Sequence, residues 1–296
     1  MRIANAEHNG QAKVVFAADE EWLDLTAALS AFDKSLEPVM SIQQLLDAGR
    51  FDVDLFRRLH NFAAANRKFR ASGALRFLAP FARPGQIIAL ARNYTAHAKE
   101  STLPIPHEPI FFCKANTSVV GPGDAVVLPP DLGRVEPEIE LAIVIGKEAS
   151  HAPAARAAEY IAGYTILNDV SAQELQTREI KERYPLFRCK SLKTFTPMGP
   201  CILTADEAGA EPALDMSLRV NGEARVSVNT SGLTFGVPRL IEFISGYVLL
   251  KPGDIITTGC PKAAGAIHPG DEMSLEIEGI GCLRNPVTAG TELCPS

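Results

Sequence analysis

The segment Arg134-Val135-Glu136-Pro137-Glu138-Ile139-Glu140-Leu141-Ala142-Ile143-Val144-Ile145-Gly146-Lys147 constrains this chain more than any other. Leu141 to Ile145 is an unbroken apolar run, rich in Ile and Val and closed by glycine. Such a run predicts a buried strand. Ahead of it stand acids at alternate positions: Glu136, Glu138 and Glu140. Residues two apart in a strand share a face, so three carboxylates would crowd together where the chain enters a core. Like charges there repel, and burying them is costly unless a cation neutralises them. A hard divalent ion such as Mg²⁺ or Mn²⁺ suits carboxylate oxygens. The alternative is that the acids stand in solvent just outside the strand.

The 296 residues are enough for two domains or one large domain with an appendage. With 46% hydrophobic and 22% charged residues, wholesale disorder is excluded. A net charge of −6, with no Lys/Arg block, gives no footprint for nucleic acid. The first residues lack the apolar core of a signal peptide, and no apolar run is long enough to span a bilayer. Cys113, Cys189, Cys201, Cys260, Cys282 and Cys294 form no C-x-x-C pair. They predict reduced, mostly buried thiols in a cytoplasmic protein, not a zinc site or a disulfide framework.

Residues 1–80 read as a small separate domain. Val14-Val15-Phe16 predicts a short strand. Helices are expected over Glu20–Ala31 and over Ser41–Ala48, the latter capped by Ser41, and helical spacing runs from Phe51 to Phe69. Pro80, Pro84 and Gly85 mark a boundary. The rest, residues 86–296, alternates short apolar strands with Pro-Gly-Asp turns and carries an Asn221-Gly222 hairpin signal. Helices are expected only at a few places, among them Pro153–Ala162 and Leu240–Tyr247. The whole predicts an α+β, mainly β fold.

Three further places carry chemistry. His97 and Glu100 lie three apart in a predicted helix and would share a face. A carboxylate beside an imidazole raises its basicity and fixes its tautomer, as a general base requires; the plainer reading is a surface ion pair. Asp169 ends a predicted strand and is either a third metal carboxylate or the cap of a helix over Ser171–Arg178. Lys190 is either a cation that stabilises a developing enolate or an ordinary surface lysine.

Several motifs together resemble the fumarylacetoacetate hydrolase family, from Gln86 to Val287. They are Arg92-Asn93-Tyr94 with His97 and Glu100, Glu138-Ile139-Glu140 leading into the apolar run, and Asn168-Asp169-Val170-Ser171-Ala172. Lys190-Ser191 before Thr194-Phe195, Val220-Asn221-Gly222-Glu223, Pro252-Gly253-Asp254 and Thr258-Gly259 follow in order. The resemblance implies a β-roll core beside a small N-terminal α/β domain, a homodimer, and Mg²⁺ or Mn²⁺ held by Glu138, Glu140 and Asp169. It makes Glu136 a bystander, His97 and Glu100 an acid–base dyad, and Lys190 the lysine beside the metal. Arg92, Asn93, Tyr94, Gln176 and Thr258 would contact substrate. The implied activity is metal-dependent hydrolysis of a C–C bond in a small 2,4-dioxo acid resembling an acylpyruvate. Oxaloacetate-type decarboxylation and dienoate isomerisation are the alternatives, and a metal- or ligand-binding protein without turnover is the non-enzyme alternative. Gln173, Lys193, Val226 and the Cys260–Gly265 loop depart from the family pattern. None of them is a metal ligand or part of the dyad, so substrate identity is what they put in question.

Overall fold

The computed structural model of the protein describes residues 1–18, 21–35, 37–71, 73–94, 104–261 and 264–293. Its strands are β1 (Arg2–His8), β2 (Gln11–Ala18), β3 (Glu21–Asp24), β4 (Arg76–Phe77), β5 (Ile87–Ala91), β6 (Ile110–Lys114), β7 (Val119–Val120), β8 (Val126–Leu128) and β9 (Val135–Glu136). They continue with β10 (Ile139–Ile145), β11 (Ile161–Asn168), β12 (Ser171–Ala172), β13 (Thr196–Thr204), β14 (Asp215–Val220), β15 (Glu223–Asn229), β16 (Ile255–Thr257), β17 (Glu272–Ile277) and β18 (Gly281–Ala289). Among the described residues the α-helices are α1 (Leu25–Phe32), α2 (Ile42–Asp47), α3 (Val53–Ala64), α4 (Gln173–Lys181), α5 (Ala205–Ala208) and α6 (Val237–Ser245).

The predicted apolar strand, β10, lies inside the largest sheet, whose order is β3-β2-β1-β13-β11-β10-β16-β5-β6. It is antiparallel to both neighbours: Ile139 faces Asn168 on β11, and Ala142 faces Thr257 on β16. Every residue of β10 is buried, because both of its faces are covered. Leu141, Ile143 and Ile145 enter one core cluster. Ala142 and Val144 enter a second, which holds Leu25, Leu29, Ile42, Leu45, Phe56 and Leu59 from α1, α2 and α3. A strand buried on two faces needs continuous apolar sequence and not alternation. A smaller sheet, β15-β14-β17-β18-β8, and the ribbon β12-β9 complete the strand network. The result is the α+β, mainly β architecture expected. No helix among the described residues is long and apolar enough to cross a membrane.

Several local expectations hold. Ser41 caps α2, its Oγ accepting from the Gln44 N–H at 3.2 Å. Asn221 and Gly222 both have positive φ, 52° and 80°, between β14 and β15, as a tight type I′ hairpin turn requires.

Others are corrected. In the segment read as a helix over Glu20–Ala31, Glu21–Asp24 is β3, where Trp22 pairs with Ala17; α1 starts only after Asp24, whose carboxylate accepts from Ala27 N–H at 2.8 Å. An aspartate in that role stops a helix from extending backwards. Pro153–Ala162 is not an α-helix: Ala154–Tyr160 is 3₁₀, and Ile161 is taken by its pairing with Ile145. Arg2–His8, unassigned in the sequence reading, forms β1, which pairs with β13 through Ile3 and Ile202. Of the described cysteines only Cys189 and Cys201 are buried and none forms a disulfide, so the thiols are reduced as expected but not mostly buried.

Candidate metal centre

The three alternating acids do not share one strand. Glu136 lies in β9, opposite Ser171 of β12. Pro137, which has no N–H to give to a ladder, separates β9 from β10. Glu136 is buried and ion-paired with Arg134. The acids that meet are Glu138, Glu140 and Asp169: one carboxylate oxygen of each lies within 4.8 Å of the others.

Backbone register brings them together. Ile139 of β10 faces Asn168 of β11, so Glu138 and Asp169, one residue beyond each, are neighbours. Two hydrogen bonds clamp that junction: Asp169 N–H donates to Glu138 O, and Glu138 N–H donates to the Asn168 side-chain oxygen, both at 2.9 Å. Asp169 is therefore not a helix cap. α4 starts at Gln173 behind Ala172, with no side-chain cap, while the Asp169 carboxylate faces two ammonium groups.

Those ammoniums are Lys190 and Lys114. Lys190 is no surface lysine; it is 4% exposed. Its Nζ donates to Glu138 Oε2 at 2.8 Å and to Asp169 Oδ2 at 2.7 Å. Burial disfavours its charge, but Asp169 and Glu138 outweigh that and hold its pKa above the usual lysine range. Lys114, at the end of β6, donates to Asp169 Oδ1 and to the backbone oxygen of Lys190. Burial raises the Asp169 pKa, yet the two lysines override it and hold the carboxyl below its ordinary value. Lys114 went unnoticed in the sequence. Its only signal there is a lysine closing the apolar strand Ile110-Phe111-Phe112-Cys113.

Glu140 is treated differently. Its Oε2 accepts from Gly259 N–H at 2.7 Å. Its Oε1 is buried and receives no well-aligned hydrogen bond, although the Thr257 hydroxyl lies near enough to lower the carboxyl's pKa. Burial, then Asp169 and Glu138, push its pKa up to about 8. Glu140 is the carboxyl of the three to which neither lysine donates, and its charged form is the one that burial and its neighbours disfavour. A buried carboxylate oxygen without a well-aligned donor, beside two more carboxylates, is what a hard divalent cation would satisfy. The donor set fits Mg²⁺ or Mn²⁺. Gly259 makes this possible: its φ is +90°, and a Cβ there would meet the Asn93 Cβ at 3.1 Å.

A cavity of about 180 Å³ opens on this cluster, lined by Leu90, Ala91, Arg92, Phe112, Glu136, Glu138, Gln173, Gln176, Leu186, Lys190 and Cys260. Of the residues expected to meet substrate, Arg92 and Gln176 line it, and Gln176 keeps a buried Oε1 with no partner. Asn93, Tyr94 and Thr258 are not among its lining residues. Asn93 instead ties two loops together, donating to the backbone oxygens of Phe235 and Thr258 at 3.1 and 2.9 Å. Tyr94 is wholly buried, and burial, with Glu140 adding, raises its pKa. Gln173 donates to Glu138 Oε1 at 3.3 Å. His97 and Glu100 lie outside the described residues.

Known proteins match this chain in sequence and fold. A family model described as "Fumarylacetoacetate (FAA) hydrolase C-terminal" matches residues 86–288. The mitochondrial oxaloacetate tautomerase of Homo sapiens is 38% identical over 266 residues, covering 88% of this chain and 82% of that protein. Two solved structures superpose over nearly the whole chain. The 5-carboxymethyl-2-hydroxymuconate delta-isomerase of Mycobacterium smegmatis has a TM-score of 0.74 at 32% identity, covering 99% of this chain and 100% of that one. The maleylpyruvate hydrolase of Sphingobium sp. SYK-6, in complex with manganese(II) ion and pyruvate, has a TM-score of 0.76 at 30% identity, covering 98% and 100%. With a match over most of its length and the acidic triad in place, the chain belongs to the fumarylacetoacetate hydrolase family.

Proposed function

We propose that this protein is a divalent-metal-dependent enzyme that forms the enolate of a small 2-oxo acid. The observation that carries this is the cluster of Glu138, Glu140 and Asp169, whose carboxylate oxygens lie within 4.8 Å of one another, with the buried Lys190 ammonium bonded to Glu138 and Asp169 and a cavity opening on Glu138 and Lys190. A divalent ion held by Glu138, Glu140 and Asp169 would supply Lewis-acid polarisation of the substrate's keto group. The protein's own groups do the rest. Lys190, kept charged by its carboxylate partners, adds a fixed positive charge where an enolate oxygen develops. Gln176 offers a free acceptor to a substrate hydroxyl or to a protonated group. Leu90, Phe112 and Leu186 make part of the wall apolar, which strengthens each of these interactions by excluding water.

The reaction we favour is keto–enol tautomerisation of an oxaloacetate-type acid, in which a proton moves between C3 and the keto oxygen. Its support is the tautomerase relative, which matches 88% of the chain at 38% identity. C–C hydrolysis of an acylpyruvate is the second reading, supported by the maleylpyruvate hydrolase whose structure holds manganese and pyruvate. It shares the enolate but also needs an activated water, a task that falls to His97 and Glu100. Both are tested in one assay series: enol loss from oxaloacetate and pyruvate release from acylpyruvates, each with and without EDTA. Acceleration of either that EDTA abolishes and Mn²⁺ restores is expected. Activity indifferent to the chelator, or no acceleration with any oxo acid, overturns the proposal.

A further inference from the structure

α4 buries its acid and exposes its isoleucine. Glu179 is 0% exposed, whereas Ile180, the next residue, is 58% exposed. This reverses the usual preference of the two residue types, so Glu179 is inside for its contacts and not for lack of room outside. Both of its oxygens are used on one short 3₁₀ turn, Arg188–Lys190. Oε1 accepts from Arg188 Nε at 2.8 Å, and Oε2 accepts from the Cys189 N–H at 3.4 Å. Its backbone oxygen accepts from Tyr184 N–H at 2.8 Å, which closes the intervening loop. The next residue after this pair of anchors is Lys190, whose Nζ reaches Glu138 and Asp169. The same helix presents Gln173 and Gln176 to the cavity.

We propose that Glu179 is a positioning residue: it locks the turn that carries Lys190 onto α4, and so fixes where the Lys190 ammonium stands relative to the carboxylate triad. A carboxylate suits the task because it accepts at once from a guanidinium and a backbone N–H, and charge-assisted bonds hold geometry better than neutral ones. The amide of glutamine keeps one acceptor and turns the other into a donor that opposes its partner. The inference rests on the reading that Lys190 works at this site, but its test does not depend on turnover.

The test compares full-length wild-type, Glu179→Gln, Lys190→Ala and the double variant, with Glu182→Gln as a control for charge change on exposed chain beside the helix. Mn²⁺ affinity is measured by electron paramagnetic resonance, thermal stability is measured alongside, and Glu179→Gln is crystallised. Lys190→Ala should bind Mn²⁺ several-fold tighter, because a competing cation beside the ligands is gone. Glu179→Gln should shift affinity in the same direction by a smaller factor, and should add nothing in the Lys190→Ala background. Its crystal structure should show Lys190 Nζ withdrawn from Asp169. Its kcat should fall about 10–100-fold, the range typical of groups that orient a metal site, with KM little changed. A merely structural role would lower the melting temperature yet leave Mn²⁺ affinity and the Lys190 position as in wild type, and that result overturns the proposal. So does an effect of equal size with and without Lys190. If Glu179→Gln does not fold, Arg188→Lys weakens the same anchor and must show the same pattern. If the wild type turns over no oxo acid, the proposed function fails, while the Mn²⁺ and crystallographic results still decide this one.

Discussion

Residues 1–80 and residues 86–296 bury different things. Among the buried polar and charged residues described, Asn5 alone lies before residue 81; the others include Lys114, Glu136, Glu140, Asp169, Glu179 and Lys190. The first region contributes apolar cover: Leu25, Ile42, Leu45, Phe56 and Leu59 pack in one cluster with Ala142 and Val144. The second region contributes the charges. The two meet on β10, where Glu140 stands at the metal centre and Ala142 and Val144 lie under the N-terminal helices. Apolar burial stabilises at about 25 cal/mol per Å², whereas a buried ion pair rarely beats a well-packed apolar replacement. The N-terminal cover therefore holds the sheet in place. The buried charges add little stability of their own.

That contrast can be broken by experiment, starting where the effect is largest. Glu140→Gln should reduce oxo-acid turnover by more than the roughly 10–100-fold typical of residues that only support a metal ligand. It should not lower the urea midpoint of the metal-free protein, because it removes a buried charge that neither lysine pairs with. Loss of stability without loss of turnover would reverse the division of labour. Lys114→Met removes one partner of a buried pair and should cost about 3–5 kcal/mol in urea unfolding with EDTA present. A neutral result would show that Lys190 alone suffices to hold Asp169. Leu45→Ala, in the cover, should cost about 2–5 kcal/mol, with kcat of the folded protein unchanged. A fall in kcat would give the N-terminal region a part in the chemistry. Ile143→Val, deep in β10, should cost only about 0.5–1.5 kcal/mol, again with kcat unchanged.

Much of the site was legible because its signals are local. The apolar run Leu141–Ile145 announced a buried strand, and acids at its mouth announced a charge problem that a cation would solve. Asp169 was legible as one of two alternatives; the β10–β11 register puts it beside Glu138, and the following helix starts without a side-chain cap. The family resemblance supplied Lys190 its role, and the structure buries it beside Glu138 and Asp169. What was not legible depends on partners distant in the chain. Lys114 closes an ordinary apolar strand until Asp169, 55 residues on, turns it into a buried counter-ion. Glu179 looked like one charge on a polar helix; only the fold of the following loop brings Arg188 and Cys189 to it. Arg2–His8 has no strong periodicity, and its strand character comes from pairing with β2 and β13. Period-two spacing misled at Glu136, because Pro137 interrupts the strand and sends that carboxylate to Arg134.

The central claim is that Glu138, Glu140 and Asp169 together hold a single divalent ion. Titration of Mn²⁺ into the purified chain, followed by electron paramagnetic resonance, tests it most directly. One tight site per chain is predicted in the wild type, weakened at least about tenfold by Glu140→Gln. Binding of equal strength in both proteins, or no tight site in the wild type, would contradict it.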